Sequence, residues 1–248
     1  MKQLMRYRIT AGRTVEVRDV LMETRGGKPR GSMRGRSPAR QVKRNEEEAV
    51  RVLARQLNAN CRGGELFLTL KYSDERLPPT RQEAKRIAGN FMRRIARAYR
   101  KATGKKLMWW LVTASVSAKT GEEVRLHHHV VCSALDWDII ARNWPPEEFS
   151  YRRLDASGDY TAVARYMVRN AGYGGKKAWT HSQGLQSAKY STPIPVRQAG
   201  TVKVPPQANI VEREVHEDGE TGFRASYIRW VMPLVERPQK GRRRRREQ

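Results

Sequence analysis

Cysteine is scarce in this 248-residue chain, with only Cys61 and Cys132. They lie far apart in sequence, each inside an apolar pattern. That excludes a disulfide framework and a cysteine-based zinc motif, and it points to a reducing cytoplasm. No apolar run reaches membrane-spanning length, and no amphipathic anchor with a bulky apolar face is present, so a membrane is not an expected partner. The N-terminus has no signal-peptide core and no transit-peptide character, so export is not expected either. A phosphate-binding G-x-x-x-x-G-K-[ST] loop is also missing. Gly174-Gly175-Lys176-Lys177 has neither the spacing nor the hydroxyl residue, and no nucleotide triphosphatase activity is expected. The last scarcity is of negative charge, with 25 acidic residues against 50 basic ones.

The resulting charge of +25 is not the work of the arginine run at 242–246 alone. Residues 237–248 carry seven basic and one acidic side chain, and without them 43 basic residues still face 24 acidic ones. Such a field recruits a polyanion, and nucleic acid is the default partner. Hydrophobic residues make up 38%, low for a globular protein, so one folded core with basic, partly disordered ends is expected.

The pattern along the chain predicts an α+β fold. Tyr7–Thr10 and Val15–Val17 read as a strand pair around Ala11-Gly12, and a Gly-, Pro-, Ser- and Arg-rich basic linker occupies 25–44. Apolar residues then return at helical spacing from Asn45 to Asn60 until Gly63-Gly64. Leu66–Tyr72 is a strand. Thr80-Arg81-Gln82-Glu83 has capping-box form and opens a helix reaching Gly104, apolar on one stripe and strongly basic on the other face. Met108–Ser115 and Val124–Cys132 form an antiparallel hairpin. A short strand at 149–154 and a helix at 159–170 follow. The segment 180–206 reads as loop, and a last hairpin pairs 210–215 with 223–231. This order predicts a central antiparallel sheet with helices packed on one face and the other face free for a ligand. The chain divides into 1–44 (strand pair and linker), 45–200 (the main domain), 201–236 (a hairpin extension) and 237–248 (an Arg-rich tail, disordered).

Three constellations carry chemistry. In Leu126-His127-His128-His129-Val130, strand alternation turns His127 and His129 to one face and His128 to the other. Two imidazoles on one face can share a divalent ion; solvated histidines on an edge strand are the bland alternative. A third ligand, normally a carboxylate, is needed. Glu65, Glu122 and Glu123 are near in sequence, but spacing alone fixes none of them. Next, the helix 159–170 places Tyr166 on its buried stripe, either as a core aromatic or as a nucleophile. In the second case Arg169, three residues on, favours the phenolate. Tyr160 is the competing nucleophile, on roughly the opposite face. The third segment, Lys176-Lys177-Ala178-Trp179, interleaves charge with an aromatic. It suits base stacking, and equally a Trp179 in a satellite core.

In this order the elements resemble the rolling-circle replication initiators of the HUH endonuclease superfamily, those of plasmids and phages that lack a helicase domain. The resemblance spans about Tyr7 to Pro193. It rests on the helix at 45–60 with the strand Leu66–Tyr72, the metal motif Arg125–Val131, the tyrosine helix Ala164–Asn170, and His181-Ser182-Gln183-Gly184-Leu185. It departs from the family at Val112-Thr113-Ala114-Ser115, where an acidic ligand is usual and Ala114 stands, and at Arg169, where lysine is usual. The resemblance implies a ferredoxin- or RRM-like arrangement of the sheet. It also implies Mg²⁺ or Mn²⁺ on His127 and His129, and attack by Tyr166 on single-stranded origin DNA. The products are a 5′-phosphotyrosyl enzyme and a free 3′-hydroxyl, with helicase and polymerase supplied by the host. Lys71, Tyr72, Arg125, Lys176, Lys177 and Trp179 are the expected DNA contacts. Two alternatives are a non-catalytic basic DNA-binding protein and a transposase- or relaxase-like relative.

Overall fold

The computed structural model describes residues 2–23, 39–172, 178–217 and 224–234. The chain is α+β, with two antiparallel sheets and four α-helices among these residues. The first sheet holds β1 (Lys2–Ala11), β2 (Thr14–Glu23), β8 (Lys189–Tyr190), β9 (Ile194–Pro195), β10 (Asn209–Glu217) and β11 (Arg224–Val231). The second runs in the order β6 (Phe149–Arg153), β3 (Leu66–Leu70), β5 (Glu123–Cys132), β4 (Trp109–Val116), β7 (Thr180–His181). The helices are α1 (Ala39–Asn60), α2 (Arg81–Thr103), α3 (Trp137–Ala141) and α4 (Thr161–Asn170).

The second sheet corrects one expectation. Helices cover both of its faces, not one. The strands leave no choice, because β3, β4 and β5 are apolar on both sides, as buried central strands are. Phe67, Trp110, Val112 and Val131 face α1 and α4, packing with Leu53, Leu57, Ala164 and Met167. Leu66, Leu68, Leu70, Leu111 and Val130 face α2 and α3, packing with Phe91, Met92, Ile95 and Ile140. Ligand access is therefore confined to the margin of a covered face.

Helix α2 follows its sequence signals. Thr80 caps it by accepting from the Glu83 N–H at 3.1 Å, and Gly104 ends it with φ +71°. Helix α1 begins earlier than expected, at Ala39, so part of the anticipated linker is helical; residues 24–38 lie outside the described residues, as does the 237–248 tail. No helix among the described residues is long and apolar enough to cross a membrane.

The first sheet unites pieces that lie at the two ends of the chain. β2 pairs with β1 on one edge and with β11 on the other, so the N-terminal strand pair and the C-terminal hairpin form one sheet. A buried ion pair fastens it to α1. Glu16 accepts from Arg55 at 2.7, 3.1 and 3.2 Å. Gly12 closes the β1–β2 turn at φ +60° against the Asn58 carbonyl, where a Cβ has no room.

Candidate functional site

The β-ladder sets the site. His129 lies between Thr69 of β3 and Val112 of β4, and His127 stands across from Ala114. The ladder register shifts between Ala114 and Val116, beside the histidines; such bulges re-aim side chains near functional sites. His127 and His129 share a face as alternation requires, with their Nε2 atoms 3.1 Å apart. His127 Nδ1 lies 2.8 Å from the Arg125 carbonyl and donates to it, so its Nε2 carries the lone pair. His129 is buried beside two other imidazoles. Desolvation first, then those neighbours, push its pKa down to about 3 and keep it neutral. Its Nδ1 lies 3.3 Å from the Thr69 hydroxyl. The close approach of two Nε2 atoms is satisfied either by a proton on His129 Nε2 or by a cation that both nitrogens share.

His128 points to the opposite face and is buried there between the Tyr72 hydroxyl (2.7 Å) and the Thr113 hydroxyl (3.1 Å). Burial also lowers its pKa to about 3. It is a satisfied core histidine.

Helix α4 brings the tyrosine. Ala164, Met167, Val168 and Ala171 bury its apolar stripe against α1 and the sheet. Its first turn is anchored by Asp159, which accepts from the Thr161 N–H (3.1 Å) and hydroxyl (2.6 Å). Tyr166 lies on the flank of that stripe, 43% exposed, with its ring centroid 4.8 Å from His129 and 6.0 Å from Phe67. Among the described residues its hydroxyl has no hydrogen-bond partner. Tyr160 is unsuited to attack. It is 2% exposed, its hydroxyl donates to the Asp155 carbonyl at 2.8 Å, and burial pushes its pKa up. The competing nucleophile is thereby corrected to a core residue at the helix start.

Arg169, the expected cation, lies on α4 three residues after Tyr166 and forms a part-exposed ion pair with Glu46 of α1 at 3.1 Å. Arg152 on β6 stands across the ladder from Phe67, with its guanidinium 5.1 Å above the Phe67 ring. Arg152, Thr69, Ser150 and Tyr166 line one open cleft of about 380 Å³. Sequence reasoning passed over Arg152, although the Tyr151-Arg152-Arg153 run on a predicted strand put a cation on each face.

The expected DNA contacts scatter. Tyr72 is buried on the far face holding His128, which corrects its assignment. Arg125 binds Asp74 and the Tyr72 carbonyl (2.9 Å), and Lys71 is exposed. Trp179 packs against the α1 core, and its indole N–H donates to Gln56 Oε1 at 3.1 Å, shared with Trp110. It is half-buried, packed on that core while also lining an open groove beside Lys85, Arg86 and Gly89 of α2. Lys176 and Lys177 lie outside the described residues.

Among the described residues no carboxylate completes a ligand set. Glu65 accepts from the backbone N–H groups of Arg62 and Gly63, and Glu122 and Glu123 are exposed. Among the described residues, no third His, Cys, Asp or Glu joins the histidine pair. Comparison of the chain with protein-family models, with curated proteins and with solved structures finds no match.

Proposed function

We propose that this chain is an HUH-type rolling-circle initiator that nicks single-stranded origin DNA through Tyr166. The observation that carries the reading is the convergence of an exposed tyrosine and two same-face imidazoles, with 4.8 Å between the His129 and Tyr166 rings. The histidine pair offers a divalent ion two nitrogen donors, with no carboxylate beside them among the described residues. Both histidines present Nε2 toward one point, His127 with its tautomer fixed by a backbone carbonyl and His129 held neutral by burial. Mg²⁺ or Mn²⁺ bound there supplies Lewis acidity at a phosphate oxygen.

The chain's own residues account for the rest. Arg152 holds the phosphate in the cleft beside Tyr166 and stabilises the charge that builds on it. The Tyr166 hydroxyl, without a hydrogen-bond partner among the described residues, gives up its proton to solvent water and attacks phosphorus in line. A phosphotyrosyl ester forms, the bond to the 3′-oxygen breaks, and the released 3′-hydroxyl takes up a proton. The ester keeps the bond's energy for rejoining, while the free hydroxyl primes a host polymerase, with a host helicase opening the duplex. The net charge of +25 draws the DNA in and predicts a steep salt dependence of binding.

A second reading, a basic DNA-binding protein that has lost catalysis, is favoured by one observation. Ala114, across from His127, brings no carboxylate. One experiment separates the two. Labelled single-stranded oligonucleotides covering candidate origins are incubated with the protein and Mn²⁺, then run on a denaturing gel. A covalent adduct that disappears in Tyr166→Phe supports nicking. No adduct from the wild type across those origins and metals leaves only the binding reading.

A further inference from the structure

Helix α2 carries eight basic side chains and one acidic one, Glu83. Its apolar stripe is buried against the sheet, which leaves the cations outside except Arg81, whose guanidinium turns in to donate to the Thr113 and Ala171 carbonyls. On the flank toward β4 a groove of about 380 Å³ opens, walled by Lys85, Arg86, Gly89 and Arg93, with Trp109 of β4 and Thr180 of β7 opposite. Among the described residues no aspartate or glutamate lines it. The groove belongs to the side of the sheet that faces α2, away from the histidine pair and Tyr166.

Gly89 is the informative residue. A glycine inside a helix weakens it relative to almost any other residue. Here neither conformation nor packing requires one. Gly89 is absent from the positive-φ glycines, and a Cβ built on it meets nothing within 4 Å. What the missing side chain keeps open is the groove. Among the described residues the arginines beside it hold exposed partners, Arg86 with Glu83 (2.5 and 3.0 Å) and Arg93 with Asn90. Such surface pairs exchange readily for a phosphate.

We propose that this groove holds a segment of single-stranded nucleic acid, with a base against the half-buried Trp109 indole and backbone phosphates on Arg86 and Arg93. An aromatic face flanked by cations, without carboxylates, is the arrangement that binds a single strand whatever its sequence. A duplex keeps its bases stacked inside and has none to offer to Trp109. The groove gives the protein a second hold on the strand, outside the cleft of Tyr166, and it does not depend on the nicking chemistry.

The test uses the full chain carrying Tyr166→Phe, in EDTA, with fluorescence anisotropy of labelled dT10 and of a 20-base-pair duplex. Gly89→Leu fills the groove at a position where the helix tolerates a side chain. It is expected to weaken dT10 binding at least about tenfold, with Tm unchanged or raised. Arg86→Gln with Arg93→Gln is expected to weaken it as well, and to reduce the slope of log affinity on log salt by about 1.4. The proposal is overturned if Gly89→Leu binds dT10 as tightly as its parent. It is equally overturned if the variant loses duplex and single-strand binding alike, which would make the α2 ridge a general duplex-backbone surface. Absence of a covalent adduct in the wild type would sink the nicking reading, whereas weakened dT10 binding in Gly89→Leu would still support the groove.

Discussion

Replacing Ala114 by aspartate puts a carboxylate directly across the ladder from His127, with Cβ atoms about 5 Å apart in such a pair. The position is fully buried. Without a cation, an unpaired buried charge there costs about 3–5 kcal/mol. For a domain of this size each kcal/mol is about 2–4 °C, so the metal-free variant should melt some 6–20 °C below the wild type. If His127 and His129 do share a divalent ion, the new carboxylate completes a three-ligand set. Binding to the folded state then returns about 2.7 kcal/mol at a hundredfold excess over Kd, or about 5–11 °C. The wild type, with two imidazoles, should respond much less at the same Mn²⁺ concentration. Thermal melts of both proteins in EDTA and along a Mn²⁺ titration provide the assay, with His127→Ala in the Ala114→Asp background as control. Equal Mn²⁺ shifts in wild type and Ala114→Asp would refute the argument. So would a shift that survives the loss of His127, because the ion would then be binding elsewhere.

The roles of the two arginines near α4 separate by mutation. Arg152→Ala removes a charged hydrogen-bond donor of about 1.5–3 kcal/mol and should slow adduct formation about 10–150-fold, whereas Arg169→Ala loses an exposed pair with Glu46 and should leave the rate nearly unchanged. Gel-based adduct kinetics at saturating DNA check this, and a larger loss in Arg169→Ala would reverse the assignment. Glu16→Gln leaves the buried Arg55 with only the half-exposed Glu48, at 3.7 Å, as counter-charge and should destabilise the chain by up to about 3–5 kcal/mol in urea titrations. The double change Glu16→Leu with Arg55→Met should recover most of that loss, and an unaltered midpoint in Glu16→Gln would show that the first sheet does not rely on the pair. Acid should weaken the fold well before carboxylates titrate. His128 and His129 stay neutral in the folded chain down to about 3, whereas the unfolded chain protonates them near 6.5. Their stabilisation is complete above about pH 6.5 and is lost as pH falls toward 3, by up to about 1.4 kcal/mol per unit for each histidine. Urea midpoints that stay flat between pH 7 and 5 would contradict their burial as neutral groups.

What the sequence discloses about this chain is set by the range of the interactions involved. The period-2 geometry of a strand is local, so the same-face placement of His127 and His129 was legible from Leu126–Val130 alone and the ladder bears it out. The cap at Thr80, the stop at Gly104 and the hairpin of β4 with β5 are local in the same sense. Which cation meets Tyr166 is not a local matter. Helical spacing put Arg169 near the tyrosine, but a long flexible guanidinium goes to the best carboxylate in reach, and Glu46 comes from a helix 123 residues earlier. Arg152 reaches the cleft only because β6 pairs with β3 in one particular register, and that register is fixed by burial of Phe67 and Leu68 on opposite faces. The union of β2 with β11 is longer-ranged still, and neither strand carries a mark of its partner. The double-sided helical cover, by contrast, was available in the sequence. Leu66-Phe67-Leu68 is apolar without alternation, the pattern of a strand buried on both faces, and a sheet built on it has no free side. It follows that a ligand reaches Tyr166 at the margin of the helical cover, past β6. That is the edge where Arg152 and the exposed Tyr166 flank the cleft.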